Sequence, residues 1–429
     1  MSIKLIRRNW SSLAAHPVAK NAASLYALQF ANIVFPLVLT AYLARVLMPT
    51  GFGIYLFFYS LSLWVYTAIE YGFSLFATRE ISAERDNCAR TAEIVQGVLG
   101  GQGFLAVGIF VVGAIASVFF PILHDHPEFS LLCLLFGIFR GLGPMWYFQG
   151  TERMQVAAAL EVAGRTGSTL LTLLLVRSPS SAWIALALPC FASVMVTAAQ
   201  MWLIYRQVRF RFPKRSEALT TLRKGWGVFV YRFSANFYTS ANVVILGMIA
   251  SPATVSFFGG AEKIVRGLLT LISPIVYALY PRINNLLSRH PAKAWYAIRF
   301  TLFAFIAGGG LAAVILFAFA RLWTDLLLGP GYEDAVPILR VLALVAVFLP
   351  VSTVVSVLVM LPLKMERTLN VIVLSASCLN LFFALFFYTL WGGLGMGVAS
   401  VSTEIFVTSS TCIVLARIFF SLRGLGKGM

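Results

Sequence analysis

Eleven ionisable side chains lie inside long apolar runs of this 429-residue chain: Glu70, Arg140, Glu161, Arg165, Arg232, Glu262, Lys263, Arg266, Arg299, Arg340 and Glu404. The runs are long enough to cross a membrane, so the chemistry of these residues is that of charge held in lipid. At a helix centre each costs ~2.5–3.5 kcal/mol, or ~30 kcal/mol together if all faced lipid. They must pair with each other or line a water-filled cavity. Two pairs are visible in the spacing, Glu161 with Arg165 and Glu262 with Arg266, both at i,i+4. Arg299 and Arg340 start their runs and can snorkel to an interface. Arg140, Arg232 and Lys263 remain as deep cations with no partner close in sequence. With Arg165 and Arg266 they describe a cationic lumen, which suits a substrate carrying phosphate or carboxylate charge.

Two carboxylates invite another role. Glu404 is alone in the last apolar run, and Glu70 lies towards the end of the second. A lone membrane carboxylate is a candidate carrier of a proton or sodium ion, and Glu161 is the next to consider. The plainer alternative is a salt bridge to a lumen arginine. Other signals are weaker. His124-Asp125-His126 has metal-binding residue types, but two ligands on a short loop make no site, and no metal is expected. The five cysteines (Cys88, Cys133, Cys190, Cys378, Cys412) have no CxxC spacing, which excludes a disulfide framework or a zinc site. Gly392-Gly393-Leu394-Gly395-Met396-Gly397 follows no strand and fits close helix packing better than phosphate binding. No catalytic set is present. The expectation is a non-enzyme without a cofactor, beyond a coupling proton or sodium ion.

The elements that position these residues follow from composition. Hydrophobic residues make up 59% and charged residues 11%, against about 25% charge in a soluble protein. Apolar runs fall at about 22–44, 53–76, 93–120, 129–148, 157–176, 182–205, 226–250, 254–280, 296–320, 337–361, 369–391 and 395–416. Each matches the ~20 residues that a membrane helix needs. The expected fold is an all-α polytopic membrane protein of about twelve transmembrane helices. A soluble enzyme, a large ectodomain and a transmembrane β-barrel are excluded, the last because it would need short alternating strands. The basic N-terminus is followed by no small-residue cleavage site and does not read as a signal peptide.

Of the 33 Lys and Arg residues, 23 fall on one side of this layout and only Arg45, Arg177 and Arg321 on the other. The positive-inside bias puts both termini in the cytoplasm. The net charge of +17 is then a topology signal, and no nucleic-acid partner is expected. The basic stretch from Arg206 to Arg215 marks a cytoplasmic linker, 206–225, between six-helix lobes at 1–205 and 226–429. A sparse repeat at an offset of 203 supports two lobes: Leu43 matches Leu246, Pro49 matches Pro252, and Arg79 matches Arg282. Parallel repeats of this kind place a site at their interface near the midplane.

Several segments resemble the polysaccharide-transporter branch of the multidrug/oligosaccharidyl-lipid/polysaccharide exporter superfamily. They are Tyr42-Leu-Ala-Arg45 through Pro49-Thr-Gly51-Phe-Gly53-Ile-Tyr55, Glu70-Tyr-Gly72-Phe73, and Ala77-Thr-Arg79-Glu80. Trp146-Tyr-Phe-Gln149-Gly150, Val244-Ile-Leu-Gly247, Ala261-Glu-Lys263 and Tyr280-Pro-Arg282 continue the match in order along the chain. The resemblance implies a Wzx-type flippase in the bacterial inner membrane, a two-lobed alternating-access fold resembling the multidrug exporters, and a lipid-linked oligosaccharide on undecaprenyl pyrophosphate as substrate. It implies capture of that headgroup by Arg79 and Arg282 at matched cytoplasmic helix ends. Membrane lipid and other polysaccharide assembly proteins are the further implied partners. Where this family often carries an acid before the Ile-Leu-Gly segment, the chain has Asn242, which weakens coupling through that position.

Three rival readings share the same composition. A polysaccharide polymerase or ligase would need a substantial outer loop, and the longest here, about 321–336, is short. A drug or cation antiporter favours a more anionic lumen. A peptidoglycan-precursor flippase differs only in the motifs.

Overall fold

The computed structural model describes the backbone of residues 17–208, 211–270 and 272–425, and these residues form helices and connecting turns with no strand. Lys4, Arg7, Arg8, Arg209 and Lys427, which contribute to the orientation bias, lie outside the described residues. In chain order the main helices are α1 (Pro17–Glu70), α2 (Phe73–Ala83), α3 (Cys88–Phe119), α4 (Pro127–Leu142), α5 (Met145–Gly150), α6 (Met154–Leu175), α7 (Ala182–Tyr205) and α8 (Arg215–Ile249). There follow α9 (Pro252–Leu269), α10 (Ile272–Arg289), α11 (Pro291–Ala318), α12 (Ala320–Leu327), α13 (Ala335–Leu342), α14 (Val345–Val355), α15 (Glu366–Trp391) and α16 (Gly393–Leu425).

Eight helical stretches among the described residues are long and apolar enough to cross a membrane. The chain is therefore a multi-pass membrane protein. Helices α6 and α9 are not among the eight, and they carry Glu161 with Arg165 and Glu262, Lys263 and Arg266. The charges that make these helices interesting are what lower their hydropathy. Helix breaks follow local chemistry. Helix α1 contains a non-helical residue, Met48 (φ 59°), directly before Pro49. Helix α9 starts at Pro252 behind Ser251, whose hydroxyl accepts from the Thr254 N–H at 3.4 Å. Proline suits a first helical position because its missing N–H would be unpaired there anyway. A helix thus restarts at both matched prolines of the repeat.

Two compact units divide the chain, one built on Phe58–Phe233 and one on Thr40–Phe57 with the residues from Ser234 onward. In the first, α2, α3 and α5 surround a core that includes Phe73, Ile81, Val95, Val98, Trp146 and Phe148. The N-terminal part of α3 is buried. A Cβ on Gly97 would stand 2.5 Å from Thr221 Oγ1, and one on Gly100 would stand 2.7 Å from Pro213. Part of the basic segment thus lies directly on α3. Farther along α3, Val107, Val112 and Val118 are exposed, as befits a surface facing lipid.

In the second unit Leu43, Leu47, Phe52, Leu56 and Phe57 are fully buried. They pack where the backbones of α1 and α9 nearly touch, because a Cβ on Gly53 would stand 1.7 Å from the Pro252 carbonyl oxygen. The Tyr332 hydroxyl donates to the Ala44 carbonyl at 2.8 Å, and burial raises its pKa, which keeps it a donor. Helices α15 and α16 turn at Gly392 (φ 56°). A Cβ on Gly395 would stand 1.9 Å from the Phe387 carbonyl oxygen, so this glycine permits close helix packing.

Gly53→Ala forces backbone apart in the second unit, and overpacking of this kind costs about 1–3 kcal/mol. Purified in detergent, it should melt several degrees below the parent. Gly103→Ala, which meets nothing within 4 Å, should melt at or slightly above the parent temperature, because alanine favours helix.

Candidate functional site

The membrane charges fall into two polar clusters, one in each unit. In the first, Glu70 ends α1 at a sharp break, Tyr71 (φ 52°) and Gly72 (φ 84°). Its carboxylate accepts from the Gly72 N–H at 3.0 Å and the Ser74 N–H at 2.8 Å, at the N-terminus of α2, where backbone amides lack helical partners. A carboxylate there is favoured by the helix dipole as well as by the bonds. Arg232 of α8 donates to both Glu70 oxygens, at 3.1 and 3.2 Å, and to the Ser74 hydroxyl. The partner of Arg232 therefore lies 162 positions earlier, beyond the reach of spacing arguments. Gly72 is needed twice, for its positive φ and because a Cβ would meet Val228 at 2.6 Å.

Tyr59, Tyr66 and Glu70 fall at i, i+7 and i+11, on one face of α1. Arg140 of α4 lies 5.0 Å from the Tyr66 ring centroid and 5.7 Å from that of Phe136, and it hydrogen-bonds the Tyr59 side chain. A position over a ring face suits a weakly hydrated guanidinium, which the ring's π electrons attract. Glu161 and Arg165 of α6 approach to 3.8 Å, both only partly buried. Arg165 is thus loosely held.

The second cluster sits on α9 and α16. Arg266 Nε donates to Glu262 Oε1 at 2.8 Å, so both pairs expected from i,i+4 spacing form. Glu262, Arg266, Ser400 and Glu404 line one small cavity. Glu404 is 3% exposed, and its Oε2 has no hydrogen-bond partner among the described residues. Around it, Asn242 donates to the Ser400 hydroxyl at 2.7 Å and Asn380 donates to that of Thr403 at 3.2 Å. Lys263 is half-buried, one residue along from Glu262. Arg79 and Arg282 are exposed on α2 and α10 and form no salt bridge among the described residues.

Sequence reasoning did not single out Tyr59, Tyr66, Asn380, Ser400 or Thr403. A polar stripe of Ser400, Thr403, Glu404 and Thr411 along α16 was the available signal. His126 serves packing, with its ring edge-on to Phe58 and Phe129.

Breaking the Glu70–Arg232 pair should cost about 2 kcal/mol, below the range for a fully buried pair because Arg232 is partly solvated. Glu70→Gln and Arg232→Gln should each lower the melting temperature, and the double variant should lose less than the two losses combined. Strict additivity would show that the pair contributes no coupling.

A sequence model of the family described as polysaccharide biosynthesis protein matches residues 18–287. A candidate O-antigen transporter of Escherichia coli (strain K12) is 27% identical over 399 residues, covering 91% of this chain and 94% of that protein. Its counterpart from Shigella dysenteriae is 25% identical over 403 residues, covering 90% and 97%. Among solved structures, the lipid II flippase MurJ in an inward closed conformation superposes with a TM-score of 0.64 at 12% identity, covering 92% of this chain and 87% of that one. An outward-facing MATE transporter of the MOP superfamily superposes with a TM-score of 0.58 at 15% identity, covering 96% and 97%. These two establish the fold, and the family match covers well over half the chain. The protein belongs to the polysaccharide biosynthesis protein family.

Proposed function

We propose that this protein, a transporter and not an enzyme, flips undecaprenyl-pyrophosphate-linked oligosaccharide repeat units across the bacterial inner membrane for O-antigen, capsule or exopolysaccharide export. The observation that carries this reading is the set of cations within apolar runs of the sequence that keep some accessibility, Arg165, Arg232, Lys263 and Arg266. An anionic headgroup crossing lipid needs such counter-charges. The names of the relatives, O-antigen transporters, support the same substrate class. Each of these four, and Arg140, is a counter-charge for the headgroup along its path while the polyprenyl tail stays in lipid, and Arg79 and Arg282 capture it on the cytoplasmic side. Twelve spans with both termini cytoplasmic give this orientation. Other polysaccharide assembly proteins are partners at the exit side.

An ion gradient drives transport, which makes the protein an antiporter in which one carboxylate carries the ion. Glu70 already accepts four hydrogen bonds, and Glu161 faces Arg165. Glu404, with an orphaned oxygen, is the residue left with a reason to change state.

In cells lacking their own copy, Lys263→Ala and Arg165→Ala should each lower surface polysaccharide several-fold at unchanged protein abundance. Full surface polysaccharide in both variants would remove the cationic path. In a cysteine-free background, an impermeant thiol reagent applied to intact cells should label Glu333→Cys and leave Thr220→Cys unlabelled. The reverse pattern would invert the topology.

A further inference from the structure

The cavity beside Glu404 has about 10 Å³ of room, enough for one water at most. Its walls are Glu262, Val265 and Arg266 of α9, Leu342 of α13, Val345 of α14, and Ser400 with Glu404 of α16. Arg266 is tied to Glu262 across 2.8 Å and is also the cation whose field reaches Glu404. The other facing groups on α8, α15 and α16 are neutral: Asn242 donates to Ser400 and Asn380 to Thr403, while the Oδ1 atoms of both have no hydrogen-bond partner among the described residues. Lys263 lies about 100° farther round α9 than Glu262.

The pocket thus holds two carboxyl groups and one guanidinium. A cluster so far from water is stable only near zero net charge, because an uncompensated buried ion is expensive. One positive charge must be added. A sodium ion would stand against the Arg266 guanidinium, in a space without room for its water shell. Of the oxygens lining the cavity, Glu262 Oε1 is taken by Arg266 and Ser400 Oγ accepts from Asn242, and the unpartnered Oδ1 atoms of Asn242 and Asn380 belong to residues that do not line it. A proton needs neither room nor ligands.

We propose that Glu404, Glu262 and Arg266 form a proton-transfer triad and that the coupling ion is a proton. This rests on reading the chain as an ion-coupled transporter. In one state Glu404 carries the proton and Arg266 neutralises Glu262. In the other, the proton has passed through one water to Glu262, and Arg266 has turned to the Glu404 carboxylate. The O–H bond on Glu404 breaks as one on Glu262 forms, and the pocket stays neutral throughout. The carboxyl that holds the proton therefore depends on where Arg266 points, which ties protonation to the packing of α9 against α16.

Infrared difference spectroscopy of the full-length protein in lipid nanodiscs, titrated with pH and without any sugar substrate, tests the triad. The wild type should show a protonated-carboxyl band at neutral pH that disappears in Glu404→Gln. In Glu262→Gln the released guanidinium turns to Glu404, and the band should survive only in buffer more acidic by about one pH unit or more. In Arg266→Gln it should persist to more alkaline pH. Exchanging potassium for sodium should leave the wild-type band unchanged. A band that sodium abolishes, or that Glu404→Gln leaves intact, overturns the proposal. If Glu404→Gln fails to fold, opposite shifts in the other two variants support the triad and equal titrations sink it. Because no sugar is present, a titrating band in a protein that moves no lipid-linked sugar supports the triad and rejects the transport reading. Normal transport with no titrating band rejects the triad alone.

Discussion

At Glu70 a carboxylate inside a membrane protein meets every donor it needs. Two backbone N–H groups and the guanidinium of Arg232 supply four hydrogen bonds to its two oxygens. Much of the first unit depends on this meeting. It closes the break between α1 and α2, fixes the positive φ of Tyr71 and Gly72, and ties α8 to both helices. The aromatic groups beside it follow, with Phe229 stacked on Tyr71 at 4.5 Å and Phe233 edge-on to Trp64 at 6.3 Å. The Glu70-Tyr-Gly72-Phe73 motif is therefore a capped helix break whose charge is matched from another helix.

Glu404 is the same residue type in the opposite situation. Among the described residues the cation whose field reaches it is already shared with Glu262, and one of its oxygens has no partner. An unpartnered buried acceptor costs about 1–3 kcal/mol, so the site is poised between two arrangements instead of settled in one. The number of donors, not the identity of the acid, separates a structural carboxylate from one able to exchange a proton.

Between these polar points the helices are held by fit. Lipid tails are as apolar as side chains, so association relies on close contact over small residues. On α4 a Cβ at Gly137 would stand 2.5 Å from Val65, and one at Gly141 2.6 Å from Ile69. This glycine stripe lets α4 approach α1 closely enough for Arg140 to reach the Tyr59 and Tyr66 side chains. The polar cluster is assembled by the absence of side chains beside it.

The apolar runs, the membrane class and the two i,i+4 pairs were legible in the sequence, because each depends on residues close together in the chain. Local backbone chemistry was legible too, in the prolines that restart helices and in the glycines at the α15–α16 turn. The partner of Arg232, the rings around Arg140 and the small cavity beside Glu404 were decided by tertiary packing. They join residues as far apart as Glu70 and Arg232, or Glu262 and Glu404. A sequence shows that a buried charge must be compensated, since transfer from water to lipid is costly whatever the fold. Which donor compensates it depends on which helices come within about 3 Å, and only packing sets that distance.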